Sequence, residues 1–215
     1  LLVKTSSQLI SIGLIWINLT NNRMKKYIII VLSFLLVSNI SAQSFGLKGG
    51  AAITTFIGSD SDEADYRTGV YLGAFMKLGE GNIEWMPEVL FHQKGAKEDG
   101  GSLYDAELIM NYLDIGVNGL FHINDELALA IGPYMGYAAS GNSKVTIAGD
   151  TESASISDWD GINRVEFGSN LGAIYNINDL LHLDLRYGLA FTDIFDEESV
   201  RNSSIQIGIG YVFSY

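Results

Sequence analysis

Every second residue of the stretch LHLDLRYGLAF is apolar. Leu181, Leu183, Leu185, Tyr187, Leu189 and Phe191 share one parity, and His182, Asp184, Arg186 and Gly188 share the other. A period of two is that of a β-strand with one apolar face. The pattern recurs seven more times, over 45–53, 70–78, 83–91, 113–121, 127–137, 165–175 and 205–215. The fourth segment in chain order is irregular at its upper end around Asn111, and the sixth is interrupted by Ser169. No helical period interrupts the series after residue 42, so the chain from there on is all-β.

The connections alternate in length. Short turns lie near Gly79, Asn124 and Asn178, whereas 58–66, 95–107, 141–162 and 192–201 are longer. Each long connection carries four acids, for example Asp60, Asp62, Glu63 and Asp65 in the first. Short turns at one end and long loops at the other are the layout of an up-and-down outer-membrane barrel. The faces agree with it. Lys48, Lys77, Glu84, Glu88, Lys94, Asp114, Glu166, Asp184 and Arg186 all fall on the polar parity, where Gly and Ala also cluster. A charge facing mid-bilayer lipid costs about 2–4 kcal/mol, and a narrow barrel interior has least room for side chains. The polar parity is therefore the inside. The expected fold is an eight-stranded antiparallel transmembrane β-barrel over 43–215, with short periplasmic turns and longer acidic extracellular loops. A soluble periplasmic or secreted ligand-binding barrel, the rival, would place its apolar side chains inside.

Upstream of the strands, MKKYIIIVLSFLLVSNISAQ has the parts of an export signal. Lys25 and Lys26 precede an eleven-residue apolar core, and cleavage is expected between Ala42 and Gln43. The core is too short to span a bilayer as a helix. Residues 1–23 precede this signal and read as an upstream extension outside the natural start. Removing Lys4, Arg23, Lys25 and Lys26 and no acid from 13 cations and 25 acids leaves nine against 25, a net −16. Nucleic acid is excluded as a partner, because phosphate binding needs clustered Lys and Arg. With no cysteine, there is neither a disulfide framework nor a thiolate site.

The stretches FGLKGGAAITTF, GVYLGAFMKLGEGNIEWMPEVLFHQKGAK, NYLDIGV and LALAIGPYMGY resemble the PorT-like outer-membrane β-barrel family of Bacteroidetes. The resemblance covers most of 45–140 and the closing Gly-rich strand. It implies that Pro87 and Pro133, both inside strands, are usual positions, and bulges are expected there because proline removes a ladder hydrogen bond. It also implies that Tyr211, Phe213 and Tyr215 form a terminal aromatic signal read by the barrel insertion machinery.

Lys48, Lys77, Glu84, Glu88, Asp114, Asp184 and Arg186 read either as a solute path or as a packed network of lumen ion pairs. Eight strands enclose space for side chains or one small ligand, which favours packing. His92, His122 and His182 face inward at different heights, so no metal trio is expected. SDSDEAD and DWDG offer carboxylates at short spacing without the complete calcium-loop pattern. No catalytic motif is present, and a barrel-embedded lipid-modifying enzyme is the second alternative. The expectation is a monomeric, non-catalytic barrel without cofactor. Its partners would be outer-membrane lipid, the insertion machinery and envelope components at the acidic loops.

Overall fold

The computed structural model describes residues 43–61, 64–101, 104–147 and 149–213. The expected upstream extension 1–23, the expected export segment 24–42 with Ala42, the loop acids Asp62 and Glu63, and Tyr215 lie outside the described residues.

Nine strands follow in order: β1 (Gln43–Ile57), β2 (Arg67–Leu78), β3 (Ile83–Asp99), β4 (Tyr104–His122), β5 (Leu127–Ile147), β6 (Asp150–Ser155), β7 (Val165–Asn176), β8 (Leu181–Ala190) and β9 (Arg201–Phe213). All pairings are antiparallel. Eight of the strands close a ring in the order β1-β2-β3-β4-β5-β7-β8-β9, and β9 returns to β1 through thirteen paired positions from Phe45↔Phe213 to Ile57↔Arg201. The expected eight-stranded barrel is present. β6 stands outside the ring and pairs only with β5.

Two of the expected long loops are paired strand. β3 and β4 stay in register up to Asp99↔Asp105, and β5 runs on to Ile147 before folding back as β6. The alternation fades there because these residues stand above the bilayer, where water meets both faces. Pairing needs no apolar parity. Gly95, with φ 133°, is the residue at which β3 leaves the barrel wall for this extension. Its carbonyl accepts the Thr54 hydroxyl at 2.7 Å.

The bulges expected at Pro87 and Pro133 are absent. Pro87 stays paired with Val117, and Pro133 with Ser169, in unbroken register. Each proline instead leaves a gap in the ladder on its other side, towards β2 and β4 respectively. A strand residue aims its N–H at one neighbour only, so a missing N–H silences one side without a slip. The register shift lies at Asn111/Tyr112 instead, where β5 carries one extra residue, Ala139. That is where the sequence alternation was irregular.

Two of the three short turns owe their shape to asparagine, and the one near Gly79 turns on Gly79 and Gly81 at φ 101° and 90°. Asn124 Oδ1 accepts the N–H groups of Glu126 and Leu127 at 3.0 and 2.8 Å, and Asn178 Oδ1 accepts those of Leu180 and Leu181 at 2.9 Å each. These are side-chain-closed turns, built alike from the shared Ile-Asn-Asp. Across the barrel wall the parity is as expected: Leu185 is 53% exposed and the adjacent Arg186 1%. Leu47, Val70, Ile115, Ile131, Leu183 and Ile207 are likewise exposed, and Trp85, Phe121 and Tyr175 band the short-turn end. A soluble barrel would bury these residues, so its pattern is reversed here.

Candidate functional site

The polar parity of the strands fills the lumen in three tiers. At the short-turn end is an apolar plug of Phe75, Met86, Leu120, Ile174 and Val212 with Ala128 and Ala130. His182 joins it, its ring edge-on to Phe75 at 5.2 Å between centroids. Glycines on neighbouring strands make the room. A Cβ at Gly46 would clash with Phe75 Cζ, and one at Gly210 with His182 Nε2. This explains why Gly sits on the inward parity.

The middle tier is ionic. Lys48 Nζ lies 2.6 Å from Glu88 and 3.1 Å from Asp184. Arg186 donates from Nη1 to Glu88 at 2.7 and 3.0 Å, and its Nε lies 2.7 Å from Asp184. Three strands, β1, β3 and β8, thus meet in one closed square of two cations and two carboxylates. Above it, Lys94 bridges Asp114 (3.0 Å) and Glu166 (2.7 Å) and lies 4.6 Å from the ring centres of both Tyr112 and Tyr134. His92 Nδ1 is 3.0 Å from Asp114, Tyr134 donates to Glu166 at 2.7 Å, and Asn202 also donates to Glu166. Buried charges survive in a low-dielectric interior only when paired in this way. The free volume left beside Glu88, Lys94, Asp114 and Tyr134 is about 10 Å³.

The top tier closes the loop end. Met110, Tyr112, Ala138, Ile194 and Val200 form a buried cluster, against which Phe56, Leu108, Trp159, Ile162 and Phe195 pack. The loops reach inward to make it, since Ile162 pairs with Phe195 and Ile194 donates its N–H to Val200. Between the first loop, the β3–β4 extension and the last loop lies a cleft of about 580 Å³, lined by Phe56, Asp60, Ala96, Leu108, Phe195 and Glu198 among others.

Of the residues singled out in the sequence, Lys48, Glu88, Asp184 and Arg186 come together in the square, and Asp114 joins the Lys94 group. Lys77 and Glu84 do not join either. They sit at the short-turn rim, half-buried, where Glu84 faces His122 at 3.3 Å and Lys77 closes no salt bridge with a described residue. Strand pairing staggers their height away from the square, which parity alone does not reveal. The three histidines are apart, and the described residues contain no cluster of metal-ligating side chains. In DWDG, Asp158 accepts the Asp160 N–H at 3.1 Å as an ordinary turn. Tyr211 and Phe213 stack edge to face at 5.3 Å on the outer surface of β9, and Gln43 opens β1 opposite Leu78.

Three features escaped the sequence reading. Glu166 and Lys94 had the right parity, and long-range pairing makes them a second centre. Asn202 is polar without a charge to mark it. The top cluster is spread over loops that look only acidic, although Trp159, Ile162, Ile194 and Phe195 within them are apolar.

Among solved structures, the Neisserial surface protein A is similar over 80% of this chain and 100% of its own, at 13% identity and a TM-score of 0.50. The attachment invasion locus protein Ail of Yersinia pestis matches over 79% of this chain and 98% of its own, at 19% identity and a TM-score of 0.48. No curated protein matches the sequence. The family model described as outer membrane protein beta-barrel domain matches residues 41–196. A closed ring with an apolar outer band and a polar lumen is the structure such a family requires, and the chain belongs to the outer membrane protein beta-barrel domain family.

Proposed function

We propose that this outer-membrane barrel is a closed, monomeric scaffold that presents its loop-end crown to envelope or external partners, and that it conducts no solute. It has a structural or interaction role and is not an enzyme. The observation that carries the reading is the filled lumen, with about 10 Å³ free in the ionic tier and apolar packing at both ends. The Lys48, Glu88, Asp184 and Arg186 square then acts as an internal brace. Lys77, Glu84 and Asp114 support it electrostatically from other heights.

The finer points of this reading rest on sequence. The Gly-rich strand motifs favour the PorT-like branch found in Bacteroidetes. The export segment favours cleavage between Ala42 and Gln43, and Tyr211, Phe213 and Tyr215 favour recognition by the insertion machinery.

Planar-bilayer recording on purified monomer tests closure. The expected result is an absence of stable conductance steps at up to about 100 mV, where one elementary charge gains about 2.3 kcal/mol. Reproducible unitary conductance would replace the scaffold reading with a hydrated path.

A further inference from the structure

The cleft in the crown is chemically two-sided. Its floor is apolar, from Phe56 on β1, Ala96 on β3, Ala106 and Leu108 on β4, and Phe195 and Val200 from the last loop. Its rim is acidic, from Asp60, Glu98 and Glu198, against one cation, Lys97. The other cations of the crown are engaged elsewhere: Arg164 donates to the Ala138 and Ala139 carbonyls and stacks on Trp159, and three more hold different acids. Arg67 and Lys144 hold Glu107 at 2.7 and 3.6 Å, and Arg201 holds Asp193 at 2.8 Å. Asp60 accepts the N–H of Ser199 at 2.9 Å, and Glu98 accepts the Tyr104 hydroxyl. Those bonds fix both carboxylates without neutralising them. The rim acids have no cationic partner among the described residues.

A volume of about 580 Å³ lies within the range of roughly 300–1,000 Å³ seen for binding pockets. The net charge of −16 after Ala42 adds a long-range field that draws cations to this face. We propose that the cleft binds a cationic amphipathic peptide segment, one apolar side chain seated against Phe56, Leu108 and Phe195 and flanking Lys or Arg set against Asp60, Glu98 and Glu198. The inference rests on the reading of the crown as an interaction surface and names its partner class. Anionic segments are repelled by the same rim.

The test uses the barrel in zwitterionic phosphatidylcholine nanodiscs, with empty nanodiscs as blank, and fluorescein-labelled peptides read by anisotropy. KLFKLK should bind, ELFELE should not, and KSSKSK should bind at least about tenfold more weakly for want of apolar burial. Glu98→Gln with Glu198→Gln should weaken KLFKLK about fivefold, two partly exposed charge pairs being lost. Ala106→Phe should fill the floor and abolish binding. Phe195→Ser, which strips the apolar floor contributed by the last loop, replaces it if heat-dependent gel migration shows Ala106→Phe to be unfolded. Equal binding of KLFKLK and KSSKSK, or binding indifferent to the rim and floor variants, overturns the proposal. Failure of binding in a barrel that passes no current sinks this inference alone, whereas conductance sinks the scaffold reading whatever the cleft binds.

Discussion

Arg186 and Leu185 are adjacent in sequence and see opposite solvents. Leu185 meets lipid, and Arg186 spans Glu88 and Asp184 at the centre of the lumen. The Arg186 charge is stabilised only by that geometry, because removing one member of a buried group leaves the rest uncompensated. Arg186→Met should therefore destabilise the barrel by about 3–5 kcal/mol. The double variant Arg186→Met/Glu88→Gln should recover much of the loss, since Lys48 and Asp184 then remain as a one-to-one pair at 3.1 Å. Urea titration of refolded protein in micelles, followed by far-UV circular dichroism, measures both. A double variant no more stable than Arg186→Met would mean that the square does not act as a unit.

At the scale of strands, sequence and structure part company for definable reasons. The ring strands were legible because lipid outside and a packed lumen inside impose opposite demands on alternate residues, as on β8 from Leu181 to Leu189. Where the demand ends, at Gly95 and beyond Ala138, the same backbone pairing continues unseen, and β6 was missed with it. The central square was legible in its members but not in its limits. Parity selects Lys77 and Glu84 as readily as Lys48 and Glu88, and only register sets their heights. The prolines were misjudged because the lost N–H opens the ladder instead of shifting it. Val117 and Asn118 are consequently unpaired with β5 opposite Pro133 and Gly132, in a wall at bilayer depth where no water offers a bond in exchange. Pro133→Val should restore one ladder bond and stabilise the barrel by about 0.5–1.5 kcal/mol, read by the same urea titration. A loss of stability would show that the strand backbone there is held in a shape only proline suits.

For the whole molecule, the outer surface fixes how deep the barrel sits. From Leu181 to Phe191 the apolar row of β8 and the residue after it advance ten residues, about 33 Å along the chain, or about 25 Å across a bilayer at the usual tilt. That equals the apolar band of an outer-membrane barrel. Trp85, 55% exposed on β3 opposite Gly119, lies at the lower border of this band. Trp159 lies above its upper border, 4.5 Å from the Arg164 guanidinium, which in turn stacks on the outward Tyr137 at 4.7 Å. These are the two tryptophans after residue 42, so single substitutions isolate each. With Trp159→Phe in the chain 43–215, quenching of Trp85 by brominated phosphatidylcholine should be strongest for bromines near the headgroup and weaker for those near the chain ends. With Trp85→Phe, Trp159 should be quenched feebly by every bromine position. Strongest quenching of Trp85 by chain-end bromines would place the short turns inside the bilayer, and strong quenching of Trp159 would place the crown there. Either result would contradict the 25 Å band, because aromatic residues mark its edges and the crown's paired extensions need water on both faces.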